Sequence, residues 1–169
     1  MQIHVAKSDL ADLPVDAVVN PGNSLGTMAT GVGAALLERG GPRIEEEARA
    51  SAPVAVGAAL VTGAGNLPAR NVIHAPIVES PGLKVGVENV RRATRAALLA
   101  AARHNFETIA LPAVGGIGVV LGLDEAARAI VDELRAHRYA HPTTVYLVGS
   151  TDEHVTAFAE ALRNATTLV

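Results

Sequence analysis

Short apolar segments alternate with amphipathic helical patterns along most of this chain, and this alternation restricts the fold more than any other feature of the sequence. The apolar segments are rich in β-branched residues, which is typical of strands that are buried on both faces of a sheet. We therefore predict strands at Gln2–Ala6, Val15–Asn20, Ala58–Thr62, Val72–Val78, Thr108–Val114 and Thr144–Gly149.

The helical patterns in the second half of the chain place apolar residues on one face each. The three stripes are Val87, Val90, Ala97, Leu98 and Ala101, then Ala127, Ile130, Val131 and Leu134, then Val155, Phe158 and Leu162. Strands that alternate with helices form crossover units, with helices on both faces of the sheet. The sequence therefore predicts an α/β protein, a three-layer α/β/α sandwich, and the absence of repeats or long linkers predicts a single domain over residues 1–169.

The composition narrows the classes of function. The chain has no cysteine, which excludes disulfides, thiol catalysis and thiolate metal sites and favours a cytoplasmic location. No leader precedes the first predicted strand, and no apolar run approaches the roughly 20 residues of a membrane span. We expect no membrane association, no cofactor and no bound metal, and no feature indicates an obligate protein partner.

Charge and aromatic content argue against nucleic acid as the partner. The formal charge is −3, whereas sequence-independent nucleic-acid binding relies on clustered Lys and Arg. Aromatic residues make up 2% of the chain, and tryptophan is missing, so stacking platforms for bases are scarce. Any bound base is expected to rest mainly on aliphatic side chains.

A glycine-rich loop, residues 20–33, follows the second predicted strand and leads into a short predicted helix, Ala34–Arg39. Glycines let the backbone approach an anion, and a helix N-terminus supplies N–H groups and a favourable dipole. The loop is either a phosphate-binding loop or an ordinary strand-to-helix connection, and composition alone does not separate the two.

A second glycine-rich loop, residues 112–122, also joins a predicted strand to a predicted helix, whose first turn carries Asp124 and Glu125. Two such loops can clamp one diphosphate. The glycine spacing differs from the dinucleotide fingerprint, and no acidic residue ends a following strand, which argues against a Rossmann site. The P-loop pattern is also missing, which argues against that type of nucleotide hydrolysis.

Residues 22–26 match the G-x-S-x-G pattern of serine hydrolases around Ser24, and Asp124 with His137 or His141 would supply the triad order. That pattern requires a tight strand-to-helix turn, whereas several loop residues separate Ser24 from the predicted helix. We expect instead that the Ser24 hydroxyl bonds to the backbone of its own loop.

Asp9 and the histidines allow simpler interpretations than catalysis. Asp9 follows the first strand, where an aspartate either caps a turn or accepts a hydrogen bond from a base, and capping is the simpler role. His74 is expected to be a hydrogen-bonded core residue. His137 and His141 have helical i,i+4 spacing, but Pro142 is expected to end the helix there, so the pair does not predict a metal site.

Several motifs together resemble the macro domain family, in family order and over nearly the whole chain. The motifs are Ser8-Asp9-Leu10, VDAVVNPGNS at 15–24, TGVGAA at 30–35, VTGAGNLPARNVIH at 61–74 and LPAVGGIG at 111–118. The resemblance implies a mixed sheet of about six strands and a cleft that binds ADP-ribose, free or attached to a mono-ADP-ribosylated protein.

The resemblance also implies roles for individual residues. Asp9 would accept a hydrogen bond from the adenine amino group, and the Leu10 backbone would contact the ring. Asn23 would orient the distal ribose and is the candidate catalytic residue. Backbone N–H groups would hold the diphosphate from two sides, Gly31 and Val32 on the first loop and Gly115, Gly116, Ile117, Gly118 and Val119 on the second.

The sequence departs from the family pattern at three places. The first loop reads Ala29-Thr30-Gly31 where many members have consecutive glycines, and the second loop has Val119, Val120 and Leu121 near the position of a ribose-contacting aromatic residue. Gly33 stands where the branch that removes mono-ADP-ribose from proteins often has an aspartate.

Binding therefore has more support than catalysis at this stage. Binding needs donors and a base-reading carboxylate, whereas hydrolysis also needs a positioned water and usually a base. We expect ADP-ribose binding, with slow mono-ADP-ribosyl hydrolysis at most. Deacetylation of O-acetyl-ADP-ribose and a phosphate- or nucleic-acid-binding module without catalysis remain the alternatives.

Overall fold

The computed structural model describes residues 1–115 and 120–166. The strands are β1 (Gln2–Lys7), β2 (Ala17–Asn20), β3 (Leu60–Gly63), β4 (Asn71–His74), β5 (Thr108–Pro112) and β6 (Thr144–Gly149). The helices are α1 (Gly31–Gly40), α2 (Arg43–Ala50), α3 (Val87–Arg103), α4 (Leu123–Ala136) and α5 (Asp152–Thr166), and a short 3-10 helix spans Leu10–Asp12.

The six strands form one mixed sheet in the order β1-β6-β5-β2-β4-β3. Neighbouring strands are parallel from β1 to β4, and only β3 at one edge runs antiparallel, against β4. The carboxyl ends of β1, β6, β5, β2 and β4 consequently lie along the same edge of the sheet, where ligands of open α/β folds bind.

Alternate residues of the strands face two apolar clusters, one on each side of the sheet. The larger cluster joins Ile73, Ile109 and Leu147 to apolar residues of α3, α4 and α5. The smaller one joins Val18 and Val72 to residues of α1 and α2. The three-layer α/β/α sandwich and its mixed six-stranded sheet are confirmed.

The predicted elements differ from the observed ones mainly at their ends. Residues 75–78 do not continue β4, because there the chain pairs with the first loop through Ala75 N–H to Asn20 O and Ile77 N–H to Gly22 O. The helix α1 begins earlier than predicted, at Gly31. The helix α2 was missed because only Ile44 and Ala48 are buried in it, which leaves too narrow an apolar stripe to recognise.

In the described part of the chain, residues 1–115 and 120–166, none of the helices is long and apolar enough to span a lipid bilayer.

Candidate nucleotide site

A cavity of about 210 Å³ opens at the carboxyl edge of the sheet. Four of the residues assigned by resemblance line it together, namely Asp9, Leu10, Gly31 and Val32. Pro112 and Ala113, at the end of β5, also line the cavity. So do Val148, Ser150 and His154, at the end of β6 and the start of α5. The parallel topology therefore brings the connections that follow four strands, β1, β2, β5 and β6, to one concave surface.

Asp9 caps the 3-10 helix at the cavity. Its Oδ1 accepts a hydrogen bond from Ala11 N–H at 2.9 Å, and its backbone is extended as in an N-cap. The capping interpretation is thus confirmed. Capping occupies one carboxylate oxygen, whereas Oδ2 makes no hydrogen bond with the described residues.

The N-terminus of α1 presents backbone donors to the same cavity. The N-cap residue Thr30 makes no side-chain cap hydrogen bond, and the first intrahelical bond of this end runs from Ala34 N–H to Thr30 O. The first N–H groups of a helix have no intrahelical partner, and two of these residues, Gly31 and Val32, line the cavity. This arrangement suits an anion, because the helix dipole adds to the N–H donors.

Asn23 is held within its own loop. Its Nδ2 donates to Thr27 O at 3.1 Å and to Thr27 Oγ1 at 2.9 Å, while its Oδ1 accepts from Leu25 N–H at 3.0 Å and Thr27 N–H at 3.4 Å. A carboxamide has two donor and two acceptor positions, so all of them are in use. A contact between Asn23 and a ribose requires one of these bonds to be released.

Ser24 does not behave as expected. Its hydroxyl is buried and has no hydrogen-bond partner among the described residues, while its backbone N–H and C=O bond to Val78 and Val54. The prediction that the hydroxyl bonds to its own loop was wrong, because the loop backbone is engaged with neighbouring segments instead.

The serine-hydrolase triad is not assembled either. Asp124 lies in the first turn of α4 and His137 follows the last turn, so roughly 20 Å of helix separates them. His141 lies just before β6, near the opposite edge of the sheet from the loop that holds Ser24. These positions exclude the G-x-S-x-G interpretation.

Gly33 is buried in the first turn of α1 and faces the loop rather than open space. A Cβ at this position would lie 3.3 Å from Met28 Cα and 3.5 Å from Asn20 Oδ1. A side chain therefore fits there only if the loop shifts, and the aspartate typical of the hydrolytic branch has no ready space.

A carboxylate that sequence reasoning missed anchors the first loop. Glu45 Oε2 accepts a hydrogen bond from Met28 N–H at 2.7 Å. Met28 is almost fully buried, so this bond ties the middle of the loop to α2. Three consecutive glutamates at 45–47 give no sequence signal for which of them reaches the loop.

His74 is a hydrogen-bonded core residue, as predicted. Its Nδ1 lies 3.3 Å from Asn20 Nδ2 and its Nε2 lies 2.9 Å from Thr62 Oγ1. Burial lowers the pKa of His74 to about 4, because the imidazolium would lose its hydration, although the charge of Glu47 opposes this shift. The ring is therefore neutral at pH 7 and supports the end of β2 from which the first loop departs.

The second loop is described only at its ends. Gly115 is exposed at its start, and Val120 N–H bonds to Val85 O at 3.0 Å near its end. The predicted ligand contacts at Gly116, Ile117, Gly118 and Val119 lie outside the described residues. The loop leads into α4, whose first turn carries Asp124 and Glu125 as predicted.

The helix α4 ends at Ala136, so Pro142 does not end it as predicted. The chain turns into an extended conformation at His137, and His137 Nε2 contacts the backbone oxygen of His141 at 2.7 Å rather than facing its ring. Within residues 1–115 and 120–166, no cluster of three or more His, Asp or Glu side chains is arranged to hold a metal ion.

His154 also lines the cavity, and the sequence analysis passed over it. It lies in the first turn of α5, beside the apolar stripe that begins at Val155. Its Nδ1 accepts a hydrogen bond from Ser150 N–H at 3.2 Å. A histidine at the start of a helix gives no spacing signal, and only the turn after β6 brings it to the cavity.

Comparisons with known proteins agree with this geometry. The chain is 41% identical to an uncharacterized protein of Aquifex aeolicus over 163 residues, which cover 96% of this chain and 98% of the relative. It is 32% identical over 170 residues to the human protein mono-ADP-ribosyltransferase PARP14, a match that covers 94% of this chain but 9% of PARP14. A macrodomain variant of Oceanobacillus iheyensis solved with ADPR superposes with a TM-score of 0.83 at 18% identity, and the match covers 96% of this chain and 92% of that one.

The family model described as Macro domain matches residues 19–130, which is more than half of the chain. This match includes the first loop, α1 and β5, whereas β1, β6 and α5 lie outside it. The chain therefore belongs to the macro domain family.

Proposed function

We propose that this protein binds ADP-ribose, free or attached to a protein, in the cavity at the carboxyl edge of its sheet. The observation that carries the proposal is the joint lining of that cavity by a fixed carboxylate at Asp9 and by the uncapped helix N-terminus at Gly31 and Val32. These groups complement the two ends of an adenosine diphosphate, since the carboxylate accepts from the base and the N–H groups donate to the phosphates.

The likeness to structures with bound nucleotide supports the same ligand. The Oceanobacillus iheyensis macrodomain variant was solved with ADPR, and its fold closely matches this one. The match covers 96% of a chain that we propose to be one macro domain over residues 1–169. We further propose a cytoplasmic location, on the ground that the chain lacks cysteine.

Hydrolysis of protein-linked mono-ADP-ribose has less support than binding. The hydrogen-bonding positions of Asn23 are taken up by its own loop, and Gly33 supplies no carboxylate to a cavity it does not face. We therefore infer a binding protein whose hydrolase activity is slow or absent.

Isothermal titration calorimetry with ADP-ribose, ADP and AMP tests the binding proposal. We expect ADP-ribose and ADP to bind more tightly than AMP, because AMP lacks the second phosphate that the helix N-terminus holds. A ligand that binds only the folded state also raises the melting temperature as its concentration increases. The absence of heat and of a thermal shift with all three ligands at millimolar concentration would overturn the proposal.

Activity is tested separately with a mono-ADP-ribosylated protein and with O-acetyl-ADP-ribose. Binding without release of ADP-ribose, or of acetate from the second compound, is the expected outcome. Rapid turnover of either substrate would instead show that this site is an enzyme and that Asn23 is released from its loop during catalysis.

A further inference from the structure

Two contacts tie the first loop, residues 20–33, to one face of α2. Glu45 Oε2 accepts a hydrogen bond from Met28 N–H at 2.7 Å, and a Cβ at Gly26 would lie 2.8 Å from the carbonyl carbon of Ala48. Glu45 and Ala48 are three residues apart and therefore share a face of the helix. Glycine at 26 lets the loop backbone approach α2, and the carboxylate of Glu45 then holds the following segment against it.

The bond to Glu45 is the last one that ties the loop to another segment before α1 begins. Met28 is almost fully buried, whereas Ala29 and Thr30 are exposed. Within residues 1–115 and 120–166, neither of these two makes a hydrogen bond to a segment other than α1. The chain that leads into the N-terminus of α1 is therefore held from α2 by Glu45.

Met28 also supports the first turn of α1. A Cβ at Gly33 would lie 3.3 Å from Met28 Cα and 3.4 Å from Met28 Cβ, so the turn packs directly on Met28. Gly31 and Val32 belong to the same turn and line the cavity. Glu45, Met28 and this turn thus form a continuous series of contacts, and a shift of Met28 displaces the two donors.

We propose that Glu45 is a positioning residue for the diphosphate: by holding Met28, it fixes the direction of the Gly31 and Val32 N–H groups. This inference rests on the proposed binding of ADP-ribose in the cavity. Glu45 is not among the residues that line the cavity, so its effect passes through the first loop. Donors that are fixed before the ligand arrives lose less conformational entropy on binding. Without Glu45, the Met28 N–H would be a buried donor without a partner, and the loop would have to move to satisfy it.

Calorimetry with ADP and AMP on the full chain tests the role of Glu45. The ratio of the two affinities measures how well the helix N-terminus holds the second phosphate, and we expect the unmodified protein to prefer ADP. Glu45→Ala should weaken ADP binding about 5- to 20-fold, the range for one hydrogen bond to a charged group. It should weaken AMP binding less, so the preference for ADP decreases. Glu45→Asp, whose carboxylate is one methylene shorter, should change the ratio in the same direction.

Two further variants serve as controls. Glu45→Gln keeps an oxygen that accepts from Met28 N–H and should retain most of the preference for ADP. Because glutamine also lacks the negative charge, an effect of that charge on the bound anion would appear equally in the alanine and glutamine variants. Glu46→Ala removes an exposed carboxylate from the same helix and should leave the ratio unchanged.

Melting temperatures verify that the variants fold, and Glu45→Asp carries the test if Glu45→Ala does not. A merely structural role would lower the melting temperature and leave the ratio of affinities unchanged, and that result would overturn the inference. So would an equal decrease of the ratio in Glu46→Ala or in Glu45→Gln, or equal affinities of the unmodified protein for ADP and AMP. These results leave ADP-ribose binding itself intact, whereas failure of the unmodified protein to bind ADP-ribose and ADP would remove the proposed function.

Discussion

The Asp9 end of the cavity and the first loop, residues 20–33, use their polar groups in opposite ways. At the Asp9 end, capping occupies Oδ1 of the carboxylate and the Ser150 N–H occupies Nδ1 of His154. Within residues 1–115 and 120–166, the second polar atom of each side chain, Asp9 Oδ2 and His154 Nε2, makes no hydrogen bond. In the first loop, Asn23 is saturated by its own loop and Met28 N–H is bound by Glu45.

This difference bears on whether the site binds a nucleotide or also catalyses a reaction on it. A pre-formed acceptor and donor at one end select a ligand with little rearrangement. Of the first loop, Gly31 and Val32 line the cavity, while its side-chain atoms that are unpaired among the described residues, Asn20 Oδ1 and Ser24 Oγ, are buried. The comparison therefore favours recognition over catalysis, and three changes test it.

The largest expected effect is a loss of stability at acid pH, caused by His74 beside the first loop. His74 has a pKa of about 4 in the folded protein, below the ordinary 6.5, so below pH 6.5 the unfolded chain takes up a proton that the folded chain excludes. The free energy of unfolding should fall between pH 6.5 and pH 4 by up to about 3 kcal/mol and be unaffected by this group above pH 6.5. Urea denaturation at several pH values measures it.

His74→Gln removes the titrating group from the network, so its stability should depend less on pH over that interval. His4→Gln, on the exposed edge strand β1, is the matched control and should retain the steep dependence. Equal pH dependence in His74→Gln and in the unmodified protein would contradict the role given to His74.

The next largest effects, on stability and on ADP-ribose affinity, are expected from substitutions of Asp9. Asp9→Ala loses both the cap and the ligand contact, which should lower stability by about 0.5–2 kcal/mol and weaken ADP-ribose binding by about 1–3 kcal/mol. Asp9→Asn is an equally good cap and should keep the stability while losing the affinity. Thermal unfolding and calorimetry on both variants separate the two roles, and unchanged affinity in Asp9→Asn would refute the ligand contact.

The smallest effect is expected from alanine substitutions at two glycines that both have positive φ. Gly31 and Gly57 have φ values of +60° and +101°, and a Cβ on either would lie more than 4 Å from all described residues other than its chain neighbours. Alanine at each should cost about 1–2 kcal/mol of stability, because L-residues disfavour that conformation. Only Gly31→Ala should also weaken ADP-ribose binding, since Gly31 lines the cavity. Equal affinities of the two variants would argue against a ligand at α1.

The positions of Asp9 and Gly31 could be foreseen because both follow parallel strands, whose carboxyl ends share one edge. The hydrogen-bond partners of the first-loop side chains could not be predicted from the sequence. An asparagine at position 23 could bind either a ligand or its own loop. Only the folded loop shows that Thr27 and Leu25 take up the hydrogen-bonding positions of its carboxamide. Glu45 was not predicted because its helix α2 has too little buried surface to be recognised. His154 was not predicted because only the turn between β6 and α5 brings it to the cavity.

Binding of a nucleotide with a different base tests directly whether Asp9 recognises adenine. Inosine diphosphate carries a carbonyl oxygen where ADP carries the amino group, and that oxygen would face the free oxygen of Asp9. We predict that the unmodified protein binds ADP more tightly than inosine diphosphate and that Asp9→Asn, with an amide donor at the same place, loses or reverses this preference. The same preference in both proteins, measured by calorimetry, would show that residue 9 does not read the base.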